Sequence, residues 1–366
     1  VNFSNSFDPQ AFWSLIGGKP MIEAPRLQLQ SRDEAVAFTK AYGYDLEVQS
    51  DREKAWLIHS RAVTYLRTRI LKSTETLPDE VADPRQLKDL TNLLLWASLR
   101  PGDKAVSGES LQKWSCAVLR VMHVVAHLHN DLFSYFSSEI QDEIFKPYRQ
   151  FVQTDLSSGI TLVAPDDSET IPIKKFDMKP FKDSNSSITK LLAKPEEVAF
   201  GLLDKIGVRF VTSQLFDVFR VMQFLVRHHV VSYPHVIPSQ TNNTLYPVNL
   251  FLEVMEGLPK RLEMSAEEID RVLKARLEKE AAQAKYLLKP NMFTSKDYRF
   301  IKFINRQLVR VTLPETGRHF TFFYPYEVQI IDAEHYEMSQ RGTASHDEYK
   351  ARQRARARER IMGPEA

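Results

Sequence analysis

The chain has 366 residues, 43% of them apolar and 26% charged, with a formal net charge of +2. That length can bury a sizeable core and suits two domains, and the near-neutral balance makes no whole-chain case for nucleic-acid binding. The single cysteine, Cys116, excludes an internal disulfide and a multi-cysteine metal site, and fits a reducing, cytoplasmic setting.

No apolar run of about 18 residues is present, so no membrane-spanning helix is expected. Val1–Phe7 lacks a basic region followed by an apolar core, so no signal peptide is expected either. Twelve glycines are few, and neither a Walker loop nor a dinucleotide fingerprint appears.

Residues 1 to about 155 read as an all-helical domain. Ser31-Arg-Asp-Glu34 opens one helix with a hydroxyl cap and a glutamate three residues on. Helical spacing continues over 52–71 and 87–99, the latter closed by Pro101-Gly102. A long run from Leu111 to about Phe145 offers Leu119, Met122, Val125, Leu128 and Leu132 as one buried stripe, with Pro147 disturbing its end. Trp56, Trp96 and Trp114 read as core. His123 and His127 stand four apart with Asp131 four further on, a spacing open to a metal but also ordinary for packing histidines.

Residues 156–187 change texture. Ser157-Ser-Gly159, Pro165-Asp-Asp167 and Asp183-Ser-Asn-Ser-Ser187 mark turns and a domain boundary. The second domain, 156–352, starts with a strand at Gly207–Thr212, a helix over 214–228 and a further strand at Val230–Ile237. Residues 238–290 read as an insertion with a charged helix over 265–285. A hairpin follows, 298–313 and 319–331, around Pro314-Glu-Thr-Gly317. A last helix runs from Asp332 into a basic tail at 353–366. Six basic residues between Lys350 and Arg360 can touch phosphates or RNA, or form a solvated helix end.

Glu327 and Gln329 lie two apart on a strand, so their side chains share one sheet face. With Asp204, on a neighbouring strand, Glu327 makes a carboxylate pair able to hold Mg²⁺ against substrate phosphates. Lys182, Ser186 and Lys190 recur every four residues and line one face of a helix start, which suits a triphosphate. Arg209 can steady that charge or form an internal salt bridge.

Three segments, Lys182-x3-Ser186-x3-Lys190, Asp204-x-x-Gly207-x-Arg209 and Glu327-Val-Gln329-Ile330 ahead of Gly342-x-Ala344-x-His346-x-x-Tyr349-Lys350, resemble in order and context the synthetase domain of the RelA/SpoT family. The likeness covers about residues 175–352. It implies an α+β nucleotidyltransferase-like fold with a mixed sheet. It also implies Mg²⁺-dependent transfer of the β,γ-diphosphate of ATP to the 3′-hydroxyl of GDP or GTP, some relatives acting on tRNA ends or adenine nucleotides instead. By that resemblance Asp204 and Glu327 bind the metal, Glu327 accepts the hydroxyl proton, and Lys182, Ser186, Lys190 and Arg209 hold the ATP phosphates. Tyr298, Lys302, Gln329 and His346 line the acceptor site, with Tyr298 as a stacking ring. The sequence departs from the family at Pro180 and Ile331, where arginines are usual, and at Lys302, where a histidine is usual. The string His127-Leu-His129-Asn130-Asp131 carries Asn after the His and lacks the Glu-Asp of the family's hydrolase domain. A catalytically impaired nucleotide binder and a tRNA-directed enzyme are the other classes compatible with these residues.

Overall fold

The computed structural model describes residues 14–16, 20–100, 108–129, 135–155, 159–181, 184–194, 202–259, 264–280, 284–287, 298–313, 316–340 and 346–363. Its principal elements, in chain order, are α1 (Arg32–Tyr42), α2 (Gln49–Tyr65), α3 (Thr91–Trp96), α4 (Gly108–His129), α5 (Ser137–Phe151), β1 (Val152–Asp155), β2 (Gly159–Val163), β3 (Thr170–Lys179) and α6 (Ser184–Ala193). Then come β4 (Gly207–Thr212), α7 (Leu215–Arg227), β5 (Asn242–Asn243), α8 (Val248–Gly257), α9 (Ala266–Glu280), β6 (Ile301–Thr312), β7 (His319–Asp332), α10 (Ala333–Ser339) and α11 (His346–Met362). None of the described helices is long and apolar enough to cross a membrane.

The chain groups into two compact units. One comprises Val1–Asp131, Asp183–Gly201 and Ala351–Ala366; the other comprises Leu132–Lys182 and Leu202–Lys350. In the first, every described element is helical. Ser31 caps α1 as its sequence predicts: its hydroxyl accepts from the Glu34 amide at 3.2 Å, while the Glu34 carboxylate accepts from the Gln30 amide at 2.7 Å. Gly43, at φ +112°, ends the helix in the left-handed conformation that favours glycine. Ile58, Ala62 and Val63 of α2 and Ala117, Val118, Val121 and Val125 of α4 are buried. The buried stripe of α4 is therefore not the predicted one. Leu119, Met122 and Leu128 are half-buried, and Leu132 lies outside the described residues. The small β-branched and alanine side chains let helices approach closely, and the larger ones turn to the flank. The three tryptophans are likewise half-buried.

The sheet unit starts at Leu132, ahead of the expected boundary at 155/156. The expected single run over 111–145 is two helices, and α5 continues through Pro147 to Phe151. It belongs with the sheet because Ile140, Ile144, Phe145 and Tyr148 bury in the sheet's core. The sheet has seven strands in the order β1-β2-β3-β4-β7-β6-β5. Only the β4–β7 pair is parallel. This is the mixed-sheet α+β arrangement that the sequence predicts.

Three expectations are corrected here. The loop-rich boundary expected over 156–187 holds strands β2 and β3 among its described residues: Ile171 and Ile173 alternate with exposed neighbours and enter the core. Residues 230–237 make turns and a one-turn 3₁₀ helix at Tyr233–His235, because Pro234 withholds the amide that a ladder needs. The span 238–290 is no appended insertion: β5 pairs with β6, Tyr246, Leu250 and Leu273 are core residues, and Asp270 accepts from the Phe216 amide at 2.8 Å.

The two sheet faces differ. Val208, Phe210, Val328 and Ile330 face a large core completed by α5 and α7. The residues between them, on β4 and β7, point to the opposite face. There Val211 and Ile331 join Phe300 and Ala333 in a small cluster, and the rest of the row is polar.

Candidate functional site

The polar face is assembled by register. Across four strands Asp177, Arg209, Gln329 and Lys302 stand side by side, and one pleat away Lys179, Gly207 and Glu327 do the same. Directly paired residues project to the same side, so these side chains converge without any loop to position them.

Glu327 is the anchor, its side chain only 13% exposed. One carboxylate oxygen lies 3.3 Å from the Lys302 ammonium and the other 3.8 Å from that of Lys179. Gln329, 4% exposed, accepts from Arg209 Nε at 2.8 Å and donates its amide to the Tyr298 hydroxyl at 2.7 Å. Guanidinium groups only donate, so Arg209 fixes which way the amide points. Lys179 Nζ also reaches the same amide oxygen, at 3.5 Å.

Lys302 stays charged. The Glu327 carboxylate raises its ammonium above the usual range; burial opposes this, and the charge of Asp204 adds to the rise. Burial pushes the Tyr298 phenol up, so it remains a protonated hydrogen-bonding group. Its ring packs on Phe300 with centroids 4.6 Å apart.

Gly207 explains part of the Asp-x-x-Gly-x-Arg spacing. A Cβ there would lie 2.7 Å from the Glu327 carbonyl oxygen and 3.0 Å from its Cβ. Only glycine lets β4 run this close beside Glu327.

The structure thus brings together Glu327, Gln329, Arg209, Lys302 and Tyr298. Asp204 sits in the turn three residues before β4 rather than on the strand, and enters through its charge on Lys302. Ser186 and Lys190 are half-buried on α6 and belong to the helical unit, where the Thr189 hydroxyl meets that of Tyr65 at 2.7 Å. Lys182 lies outside the described residues, and of His346 only its place at the start of α11 is described. Lys179 is the site member that the motif spacing passes over. Its signal is the alternation Lys175, Asp177, Lys179 along β3. Ile331, where the family carries arginine, is fully buried beside Val211 and Phe300.

His123 and His127 do not form part of a metal cluster among the described residues. Asp131 is outside them; His123 Nδ1 and the Tyr42 hydroxyl share a hydrogen bond of 2.8 Å, and the two imidazoles pack edge to face at 4.6 Å. The basic segment is not a free tail. Arg358 pairs with Glu75 at 2.6 Å, and buried Arg360 donates to the Leu192 carbonyl and lies 3.2 Å from Glu23.

Fold and site together define an α+β protein with a mixed sheet, one face of which carries carboxylates interleaved with fixed cations. No family model matches the chain, and no curated protein matches it. Among solved structures, it is similar to the small alarmone synthetase 2 from Bacillus subtilis, with 15% sequence identity and a TM-score of 0.27, over 63% of this chain and 90% of that one.

Proposed function

We propose that the sheet face around Glu327 transfers the β,γ-diphosphate of ATP to the ribose 3′-hydroxyl of a nucleotide, with a guanine nucleotide as the leading acceptor class and a tRNA end as a related one. The observation that carries this reading is the row Arg209–Gln329–Lys302 beside Glu327 on adjoining strands. It sets a proton acceptor among three cations, counting Lys179, on backbone that needs no rearrangement. The 3′-oxygen bonds to the β-phosphorus, the bond from that phosphorus to the α,β-bridging oxygen breaks, and AMP leaves. The hydroxyl proton passes to Glu327. Lys302, Lys179 and Arg209 balance phosphate charge, and Tyr298 and Gln329 orient the acceptor.

Asp204 and Glu327 would hold Mg²⁺, an ion that is commonly bound by one or two carboxylates with phosphates completing its shell. Bound there, it would supply further neutralisation of phosphate charge. The two-carboxylate donor set fits that demand.

A second reading is favoured by one feature. The Lys302 ammonium is already a resident cation against Glu327 and in the field of Asp204. A protein that binds nucleotide without turnover would keep such an ion pair. Pure protein incubated with Mg²⁺, γ-labelled ATP and GDP, GTP, ADP or tRNA distinguishes the two. Label appearing in an acceptor supports transfer. Mg²⁺-independent nucleotide binding with no labelled product supports the binder.

A further inference from the structure

The helical unit contains a pocket of about 160 Å³ that no part of the proposed transfer uses. It is a partly open pocket lined by the 21–27 segment, α1, α2, α3 and α4. Its walls are apolar, with Leu27, Phe38, Tyr44, Ile58, Leu94 and Met122 prominent. An engineered cavity of about 150 Å³ with comparable lining holds benzene, so this one has room for an apolar body of about six to eight carbons.

Its polar groups are one-sided. Arg26 and Arg120 both line it. Arg120 donates to the Ala24 and Ile361 carbonyls, and burial holds its guanidinium below the ordinary value, with the Cys116 thiol the one acidic group acting on it. Arg26 makes no hydrogen bond or ion pair among the described residues. No carboxylate pairs with either guanidinium there. Holding the Arg120 guanidinium away from water without an anion is costly, Arg26 stands half-buried on the same pocket wall, and an incoming anion would remove that cost. The remaining basic group, His123, is kept neutral by burial, its pKa pulled down to about 4. Leu119 and Met122, members of the predicted α4 stripe that are only half-buried, are part of this wall.

We propose that this pocket binds a small amphipathic carboxylate, its apolar body among Phe38, Ile58 and Met122 and its carboxylate on Arg26 and Arg120. The ligand class follows from the pairing of an apolar chamber with two guanidinium groups that have no counter-ion among the described residues. This assignment is independent of the nucleotide reading of the sheet face.

Titration calorimetry on the full chain at neutral pH tests it with octanoate, 1-octanol and octylamine as probes. Octanoate should bind at least about tenfold more tightly than octanol, as a charge-assisted hydrogen bond requires, and octylamine should not bind. Arg26→Leu, at a residue with no hydrogen-bond or ion-pair partner among the described residues, should weaken octanoate severalfold and leave octanol unchanged. Ala126→Phe, which fills the chamber, should abolish binding of both while circular dichroism still reports a folded helical unit. Absence of octanoate binding, equal affinity for octanol, or octanoate binding unaltered in Arg26→Leu would each overturn the proposal.

Discussion

At the scale of single residues, the charged side chains hold one another in place rather than acting alone. Gln329 is oriented by Arg209 on one side and Tyr298 on the other, and Glu327 is held between Lys302 and Lys179. Five of these six were named from the sequence: two-residue spacing on a strand put Glu327 and Gln329 on one face, the Asp-x-x-Gly-x-Arg motif gave Arg209, and the RelA/SpoT resemblance pointed to Tyr298 and Lys302. It missed Lys179, which reaches Glu327 from a strand that turn-forming residues had hidden. His123 carries a prediction of its own. Its pKa falls from 6.5 to about 4, chiefly by burial and secondarily through His127. The unfolded chain therefore takes up a proton as pH drops below about 6.5 while the folded one does not until about 4. Stability should be fully present above that window and decline through it, by on the order of 3 kcal/mol. An NMR titration of the His123 ring should show a midpoint well below 5.5; a midpoint near 6.5 would contradict its burial beside Tyr42.

At the scale of elements, the parallel β4–β7 pair is the critical one. Gly207 opposes Glu327 within it, and any side chain there meets the Glu327 carbonyl. Gly207→Ala should cost about 1–3 kcal/mol, the range for forced overpacking, and should displace Glu327. Denaturant unfolding and the transfer assay read the two effects; an unchanged midpoint with unchanged transfer would rule out the close approach. The strands β4, β6 and β7 and the helix α7 were legible because their apolar alternation and helical spacing are strong and uninterrupted. Strands β1–β3 were not. Their apolar signal is confined to short runs such as Ile160–Val163 and to Ile171 and Ile173, and prolines and serines between them read as loop. The supposed strand at 230–237 failed for the opposite reason: its valines and isoleucine suit a strand, but Pro234 does not.

At the scale of the whole molecule, the basic C-terminal segment and the span 238–290 both changed meaning. Neither is an appendage. Ala357, Ile361 and Met362 are buried, and Arg358 and Arg360 bond to partners far earlier in the chain within the helical unit. Charge counting along a sequence shows cations but not where their acceptors fold to, so the segment read as a tail. Deleting residues 351–366 should therefore destabilise the helical unit, seen as a lowered thermal midpoint and faster proteolysis within residues 20–129. An unchanged midpoint would return the segment to the status of a solvated tail.

The central claim is that Glu327 accepts a proton during diphosphate transfer, and one comparison tests it most directly. Wild-type protein and Glu327→Gln are each given γ-labelled ATP, Mg²⁺ and the panel of nucleotide and tRNA acceptors. Wild type should label at least one acceptor, and Glu327→Gln should lower that rate by at least about 100-fold, the scale of a lost general base, with the fold intact by circular dichroism. Label in no acceptor, or equal rates for the two proteins, would contradict the account.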